Sequence, residues 1–325
     1  MGLSETRVFS PDGRDFEVRA LDLFRFQYRN NTVYRQYTDT LRIDPLLVQT
    51  IPQIPFLPIG FFKTHSIRTT EFTPDAVFES SGTTRTGNSH HDIKDISIYK
   101  ESFMAGFERF WGPTGDWCII GLLPSYLERS GSSLVVMVDE LIRKSGHPDS
   151  GFYLHEYDKL SATLTRLEDR QQKTLLIGVT FGLLDFAEQY ALGLRHTVVV
   201  ETGGMKGRRK EMVRMELHEF LTQRLGVPAI QAEYGMTELL SQAWSGGQGL
   251  FEPVPWMKVL VRNEDDPFDI MEQGSGILNI IDLANIWSCS FLATEDTGKV
   301  YANGHFEVSG RVDNSDIRGC SLLVI

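Results

Sequence analysis

The stretch Val198-Val-Val-Glu-Thr-Gly-Gly-Met-Lys-Gly207 decides how this chain folds. Three β-branched residues in a row read as a strand, the paired glycines as a tight turn, and the stretch from Lys210 to Leu225 as a helix that Gly226 closes in a left-handed cap. The same order recurs upstream and downstream. Trp117 to Leu123, Thr174 to Val179 and Ala229 to Glu233 are short apolar runs with helix-like segments between them. Strands that alternate with helices pair in parallel, so the chain reads as a layered α/β fold. Residues 15–50 read as helical cover for a core, and Pro52, Pro55 and Pro58 enforce an extended crossing segment. Tyr99, Phe103, Phe107 and Phe110 share one helical face, a core stripe rather than an aromatic ligand box. From about residue 250 short β-type pieces separate turns at Asp265-Asp266-Pro267, Gly274-Ser275-Gly276 and Asp296-Thr297-Gly298. The expected division is an α/β core over 1–250 and a small β-rich subdomain over 251–325.

The chain has 325 residues, 41% of them hydrophobic, enough for a large core with a smaller appendage. A formal net charge of -11 argues against a nucleic-acid or anionic-membrane surface. No apolar run is long enough for a membrane span, and Met1-Gly-Leu-Ser-Glu-Thr6 lacks a signal-peptide core. Cys118, Cys289 and Cys320 have neither metal-ligand spacing nor an even disulfide count, so a reducing, cytoplasmic location is expected.

Three segments carry chemistry. Phe78-Glu-Ser-Ser-Gly-Thr-Thr-Arg-Thr-Gly87 is a loop of hydroxyls and glycines. Its N–H groups and the hydroxyls of Ser80, Ser81, Thr83, Thr84 and Thr86 can donate to phosphate oxygens, with Gly82 and Gly87 allowing close approach. A plain surface loop has the same composition. The Gly203-Gly204 turn invites a dinucleotide reading, but Thr202 stands where the glycine pattern needs a glycine, and a tight turn into a helix explains the residues equally. Gln231-Ala-Glu-Tyr-Gly-Met-Thr-Glu238 follows a strand. There Thr237 can donate to a phosphate oxygen and Glu238 can ligate Mg²⁺, with a buried Tyr-Gly turn and a surface glutamate as the plain alternative.

Taken in order, these segments resemble the core motifs of the acyl-adenylate-forming superfamily, which Thr294-Glu295-Asp296 and Gly310-Arg311-Val312-Asp313 complete. Within it the chain is similar to the acyl-protein synthetase family of bacterial bioluminescence (LuxE-type). Phe56-Leu-Pro-Ile-Gly-Phe-Phe-Lys63, Leu123-Pro-Ser-Tyr-Leu-Glu-Arg-Ser130, Gly203-Gly204-Met205-Lys206 and Arg318-Gly319-Cys320-Ser321-Leu322 carry that likeness over essentially the whole chain. The resemblance implies an acyl-adenylate-forming α/β fold whose β-rich part completes a nucleotide site. It implies that the Ser80–Gly87 loop holds the ATP phosphates, that Gly203 and Gly204 face adenine beside Tyr234 and Gly235, and that Thr237 touches the α-phosphate. Glu238 would hold Mg²⁺, Asp296 the ribose hydroxyls, and Arg311 would lie beside the ribose. For Asp296 the alternative is an acidic surface residue in a turn.

The chain departs from the superfamily pattern twice. Asn88-Ser89-His90-His91 stands after Gly87 in place of a Pro-Lys ending, which leaves Arg85 or a histidine as the phosphate cation, although paired loop histidines are more often solvated. The sequence also stops just after Gly310-Arg311-Val312-Asp313, so no mobile C-terminal lid with its lysine is expected; Lys206, just past the glycine turn, is the candidate replacement. The function implied is ATP- and Mg²⁺-dependent activation of a carboxylic acid, of long-chain fatty type, to acyl-AMP. Acyl transfer to a protein thiol follows, with an acyl reductase or acyl-carrier protein as partner. Cys320 is the expected acceptor, because Cys118 and Cys289 lie in apolar stretches and only five residues follow Cys320. Rival readings are an acyl-CoA ligase, a non-catalytic scaffold that kept the fold, and a nicotinamide-binding protein.

Overall fold

The computed structural model describes residue 9 and residues 16–80, 87–124, 131–203 and 212–312. The chain divides into two compact units, and the division falls within the helix Ile96–Trp111. One unit comprises Phe107–Tyr234 and Ala243–Phe251. The other comprises Met1–Gly106, Gly235–Gln242 and Glu252–Asp316, so residues 252–312 share a unit with the N-terminal segment.

In the mid-chain unit the apolar runs form a parallel sheet in the spatial order Gly151–Phe152, Cys118–Leu122, Thr174–Gly178, Thr197–Glu201 and Ile230–Tyr234. Ala243–Ser245 adds an antiparallel strand, with Glu233 opposite Trp244. Helices Ser133–Ser145, Tyr157–Asp169, Thr180–Gln189 and Arg214–Leu225 alternate with these strands. One face of the sheet packs Ile120, Leu176 and Val199 against Leu164, Phe186, Leu217 and Leu221. The other face buries Ile119, Leu175 and Ile177 as well. Burial on both faces is why these strands read as unbroken apolar runs rather than alternating ones. Gly226 caps the last helix at φ +70°, and a Cβ there would lie 2.7 Å from Leu192 O.

In the other unit the strands are antiparallel, in the order Ile270–Met271, Met257–Arg262, Gly274–Asp282, Phe291–Val300 and Phe306–Arg311. The proline-rich crossing segment supplies Leu57–Pro58, which pairs in parallel with Phe291–Val300. Helices Phe16–Asn30 and Thr32–Thr40 bring Phe24 and Tyr34 onto Phe291, with Tyr34 stacked on it at 6.0 Å between ring centroids. Tyr34 also donates to Pro55 O at 2.6 Å, so the aromatic cluster and the proline segment fix one another. A hairpin, Ala76–Glu79 with His90–Ile93, closes the base of the hydroxyl-rich loop, where Ser80 N donates to Ser89 O at 3.0 Å.

Two expectations about turns need correction. Asp296-Thr297-Gly298 is not a turn but the interior of the strand Phe291–Val300, with a register shift between Thr297 and Gly298. A Cβ on Gly298 would collide with Glu307 O, so this glycine serves close strand approach. The bend expected at Gly274-Ser275-Gly276 lies at residues 272–273 instead, and Gly274 already opens the strand Gly274–Asp282. Tyr99, Phe103 and Phe107 are buried on the helix Ile96–Trp111 as anticipated, and Phe110 is half-buried.

Candidate active site

The register of the last strand pair sets Asp296 directly opposite Arg311. Arg311 Nε donates to Asp296 Oδ1 and Nη2 to Glu295 Oε2, each at 3.1 Å. Asp296 and Arg311 are buried, so Asp296 is no surface turn residue. A buried guanidinium needs an anion to offset its lost hydration, and two carboxylates supply it. Arg311 Nη1 is also buried but has no hydrogen-bond partner among the described residues. A donor left over in this way fits an oxygen-rich ligand beside a carboxylate.

The segment after Tyr234 is held by side chains from two other segments. Asp282 Oδ2 accepts from Leu240 N at 2.7 Å and Ser241 N at 3.1 Å, while its Oδ1 accepts from Ser241 Oγ at 2.6 Å. Burial raises the Asp282 pKa, with the donors on Ser241, Leu240 and Ala284 pulling the other way. Asn285 Nδ2 donates to Glu238 O at 2.8 Å. His91 Nδ1 lies 2.8 Å from Thr237 O, and its Nε2 lies 3.1 Å from Asn285 Oδ1. Burial holds the His91 pKa below its ordinary value, while the Thr237 carbonyl, the Glu238 charge and Asn285 pull it upward. Thr237 is half-buried and Glu238 fully buried, so the alternative of a surface glutamate is excluded.

The two histidines after Gly87 part company. His90 is exposed and lies 3.6 Å from Glu79, whereas His91 is packed edge-on against Phe62 at 5.5 Å. Ser80 is half-buried and Gly87 exposed with φ +89°. Ser89 Oγ, at the base of the loop, is buried without a partner among the described residues. Ser81, Gly82, Thr83, Thr84, Arg85 and Thr86 lie outside the described residues, as do Gly204, Lys206 and Cys320.

In the mid-chain unit, Glu201 organises the glycine turn. Its Oε2 accepts from Gly203 N at 2.8 Å and Thr180 Oγ1 at 3.1 Å, while Gly203 itself takes φ +72°. His218 Nε2 at 3.5 Å and Arg214 Nε at 3.9 Å face Glu201 Oε1. Burial raises the Glu201 pKa, but His218, Arg214 and the Gly203 N–H outweigh it, leaving this carboxyl below its usual range. Among the described residues no such cation faces Glu233, and burial followed by the Glu201 charge pushes it up to about 8. Tyr234, at the end of that strand, is buried. Cys118 and Cys289 are buried thiols raised by desolvation to about 11 and about 12, as expected for packing residues.

His91, Asp282, Asn285 and Glu201 were not singled out from the sequence as supports of these turns. The available signal was a polar residue ending an apolar run: Asp282-Leu-Ala-Asn285 after Ile280-Ile281, and Glu201 after Val200. Among the described residues no group of three or more His, Cys, Asp or Glu is arranged as a metal cage. Magnesium is commonly held by one or two carboxylates together with substrate phosphates, so a lone Glu238 suits that ion. No helix of the described residues is long and apolar enough to cross a membrane.

Comparison with known proteins agrees with this architecture. Residues 10–101 match the family model "Acyl-protein synthetase, LuxE". No curated protein matches the sequence. The fold is similar to that of 2-hydroxyisobutyryl-CoA ligase in the postadenylation state with 2-HIB-AMP, with a TM-score of 0.66 and 11% identity over 98% of this chain and 73% of that one. It is similar to ATP-bound MatB from Rhodopseudomonas palustris, at TM-score 0.55 and 17% identity over 75% of this chain. A malonyl-CoA ligase with methylmalonyl-CoA and AMP bound gives TM-score 0.52 and 18% identity, covering 77% and 56% of the two chains. This chain spans 50% of the length of MatB. The fold is therefore shared with these ligases.

Proposed function

We propose that this chain, which carries the acyl-protein synthetase (LuxE) signature over residues 10–101 on an acyl-adenylate-forming fold, is an ATP-dependent acid–thiol ligase. The observation that carries the reading is the buried Asp296–Arg311 pair with its spare guanidinium donor, in the same unit as the Thr237–Glu238 turn. A carboxylate oxygen of the substrate attacks the α-phosphorus of ATP. The new P–O bond replaces the bond to the bridging oxygen, and pyrophosphate leaves. Thr237 donates to the α-phosphate as charge develops there, and a fixed donor of this kind is worth about 2.7–4 kcal/mol to a transition state. Glu238 holds Mg²⁺, which neutralises phosphate charge when bound. Asp296 accepts from the ribose hydroxyls, and Arg311 holds its carboxylate in place. Ser80, Ser81, Gly82, Thr83, Thr84 and Gly87 hold the outer phosphates. Gly203, Gly204, Tyr234 and Gly235 are carried in this reading as nucleotide-contacting residues on the resemblance alone, and Lys206 as a cation at the phosphates or the substrate carboxylate.

In the second half-reaction a thiolate attacks the acyl carbon and AMP leaves. Cys320 is the proposed acceptor, since the other two cysteines are buried with raised pKa values. The acid is proposed to be a long-chain fatty acid and the onward partner an acyl reductase or acyl-carrier protein, in a cytoplasmic setting. The test is carboxylate-dependent exchange of pyrophosphate into ATP. Glu238→Gln should depress it strongly while leaving unfolding unchanged, and exchange at the unmodified rate would refute the magnesium assignment. An acyl-CoA ligase would differ in that free coenzyme A accelerates AMP release.

A further inference from the structure

A peptide carbonyl can only accept, and this fixes the hydrogen-bond directions around His91. Thr237 O lies 2.8 Å from His91 Nδ1, so that nitrogen carries a proton. Glu238 O is 2.8 Å from the Asn285 side chain, so the amide nitrogen donates to it. The amide oxygen then lies 3.1 Å from His91 Nε2, which is an acceptor in the neutral ring with its proton on Nδ1, so ring and amide pack there without a hydrogen bond. Turning the amide over would oppose its oxygen to Glu238 O. The His91 ring and the Asn285 amide thus grip the carbonyls on both sides of the Glu238 Cα, each through its own hydrogen bond. The peptide plane before that Cα is fixed by His91 and the plane after it by Asn285. With both planes fixed, so is the direction in which the Glu238 side chain leaves the backbone. Both grips are dry: His91 is 1% exposed and Asn285 is 0% exposed. Asn285 is anchored in turn, since its own carbonyl accepts from Gln27 Nε2 at 2.9 Å and Ser290 Oγ at 3.0 Å.

We infer that His91 and Asn285 form a clamp on the Thr237–Glu238 turn and act as positioning residues for the bound nucleotide and its metal ion. The inference rests on the proposed roles of Thr237 and Glu238, which the clamp does not itself touch through their side chains. Orientation of a reacting group is steep in energy, and a displacement of roughly 1 Å can cost about a hundredfold in rate.

His91→Phe keeps the ring and its edge contact with Phe62 while deleting both nitrogens, and Asn285→Leu keeps the volume. Each should lower kcat/KM for Mg·ATP in pyrophosphate exchange by about tenfold or more and leave the KM for the acid within about twofold. The double variant should be no worse than about the weaker single, because both changes open one clamp. His91→Gln, which retains one donor, should fall between, and it carries the test with Asn285→Leu if the phenylalanine variant does not fold. Without any nucleotide, amide hydrogen exchange over residues 237–241 should accelerate in each variant. Unchanged exchange there, acceleration spread over the whole chain, or kinetic losses that multiply in the double variant would each overturn the clamp. If the unmodified protein fails to exchange pyrophosphate, the proposed function falls, and the ligand-free amide measurement still decides the clamp.

Discussion

Glu233→Gln is expected to stabilise this protein at neutral and alkaline pH and to flatten its pH dependence. Glu233 sits on the strand Ile230–Tyr234, buried, and its carboxyl is pushed up to about 8 from an ordinary 4.5, first by burial and then by Glu201. Between those two values the folded protein keeps a proton that the unfolded chain has released. The folded pKa is the higher one, so the stabilisation is complete below about pH 4.5 and is lost as pH rises towards 8. The slope is at most about 1.4 kcal/mol per pH unit, which makes about 2.5 kcal/mol between pH 5 and 7. A glutamine cannot ionise and escapes this loss, though a buried amide short of a partner costs about 1–2 kcal/mol. The variant should therefore be near or slightly below the unmodified protein at pH 5 and about 2 kcal/mol above it at pH 8. Urea unfolding of both proteins at pH 5, 6, 7 and 8 measures the difference. Parallel stability curves, offset by a constant, would show that Glu233 titrates in the ordinary carboxylate range and would refute the reasoning.

Asp296→Ala leaves the Arg311 guanidinium buried with, among the described residues, only the half-exposed Glu295 beside it, and should cost about 3 kcal/mol in chemical denaturation; adding Arg311→Met should recover most of that loss. Cys320→Ser should retain pyrophosphate exchange and lose hydroxylamine-labile acyl labelling, and persistence of that label would move the acceptor elsewhere. The same variant should resist iodoacetamide at pH 8 until it is unfolded, because Cys118 and Cys289 are held at about 11 and about 12. Gly226→Ala forces a Cβ into left-handed backbone 2.7 Å from Leu192 O, so thermal unfolding should report a loss of about 1–2 kcal/mol from the conformation alone, with the clash added.

The parallel strands were legible because burial on both faces writes an unbroken apolar run, and the helix ending at Leu225 was legible from Gly226. The antiparallel half was harder to read. Asp296-Thr297-Gly298 has the composition of a turn, and only the carbonyl of Glu307 across the ladder explains the glycine as a strand residue. Among the candidate site residues, Thr237 and Glu238 were proposed from a local motif and Asp296 and Arg311 from the family resemblance. Their supports were not, because a support is recognised by what it reaches: His91 and Thr237 are 146 positions apart, and Asn285 and Glu238 are 47 apart. No window of sequence brings such pairs together. Glu233 is similar, since an ordinary strand glutamate acquires its high pKa only from burial and from Glu201 on the neighbouring strand.

The grip of Gln27 on the far end of the chain bears on how the protein is made. Gln27 donates to Asn285 O and Ile286 O, and its Oε1 accepts from Ser290 N. Asn31 and Thr69 reach Ser288 O in the same loop. A ribosome adds roughly 5–20 residues per second, so Gln27 waits about 13–50 s for a partner 258 residues downstream. Throughout that interval the helix Phe16–Asn30 carries an apolar face that includes Leu21, Leu23 and Phe24, and its later neighbour Phe291 does not yet exist. The segment Phe107–Tyr234 is continuous and can condense first. The amino-terminal hundred residues, which include the stretch matching the LuxE family model, are therefore made first but among the last to complete their contacts, and are the most exposed to aggregation or holdase capture while they wait.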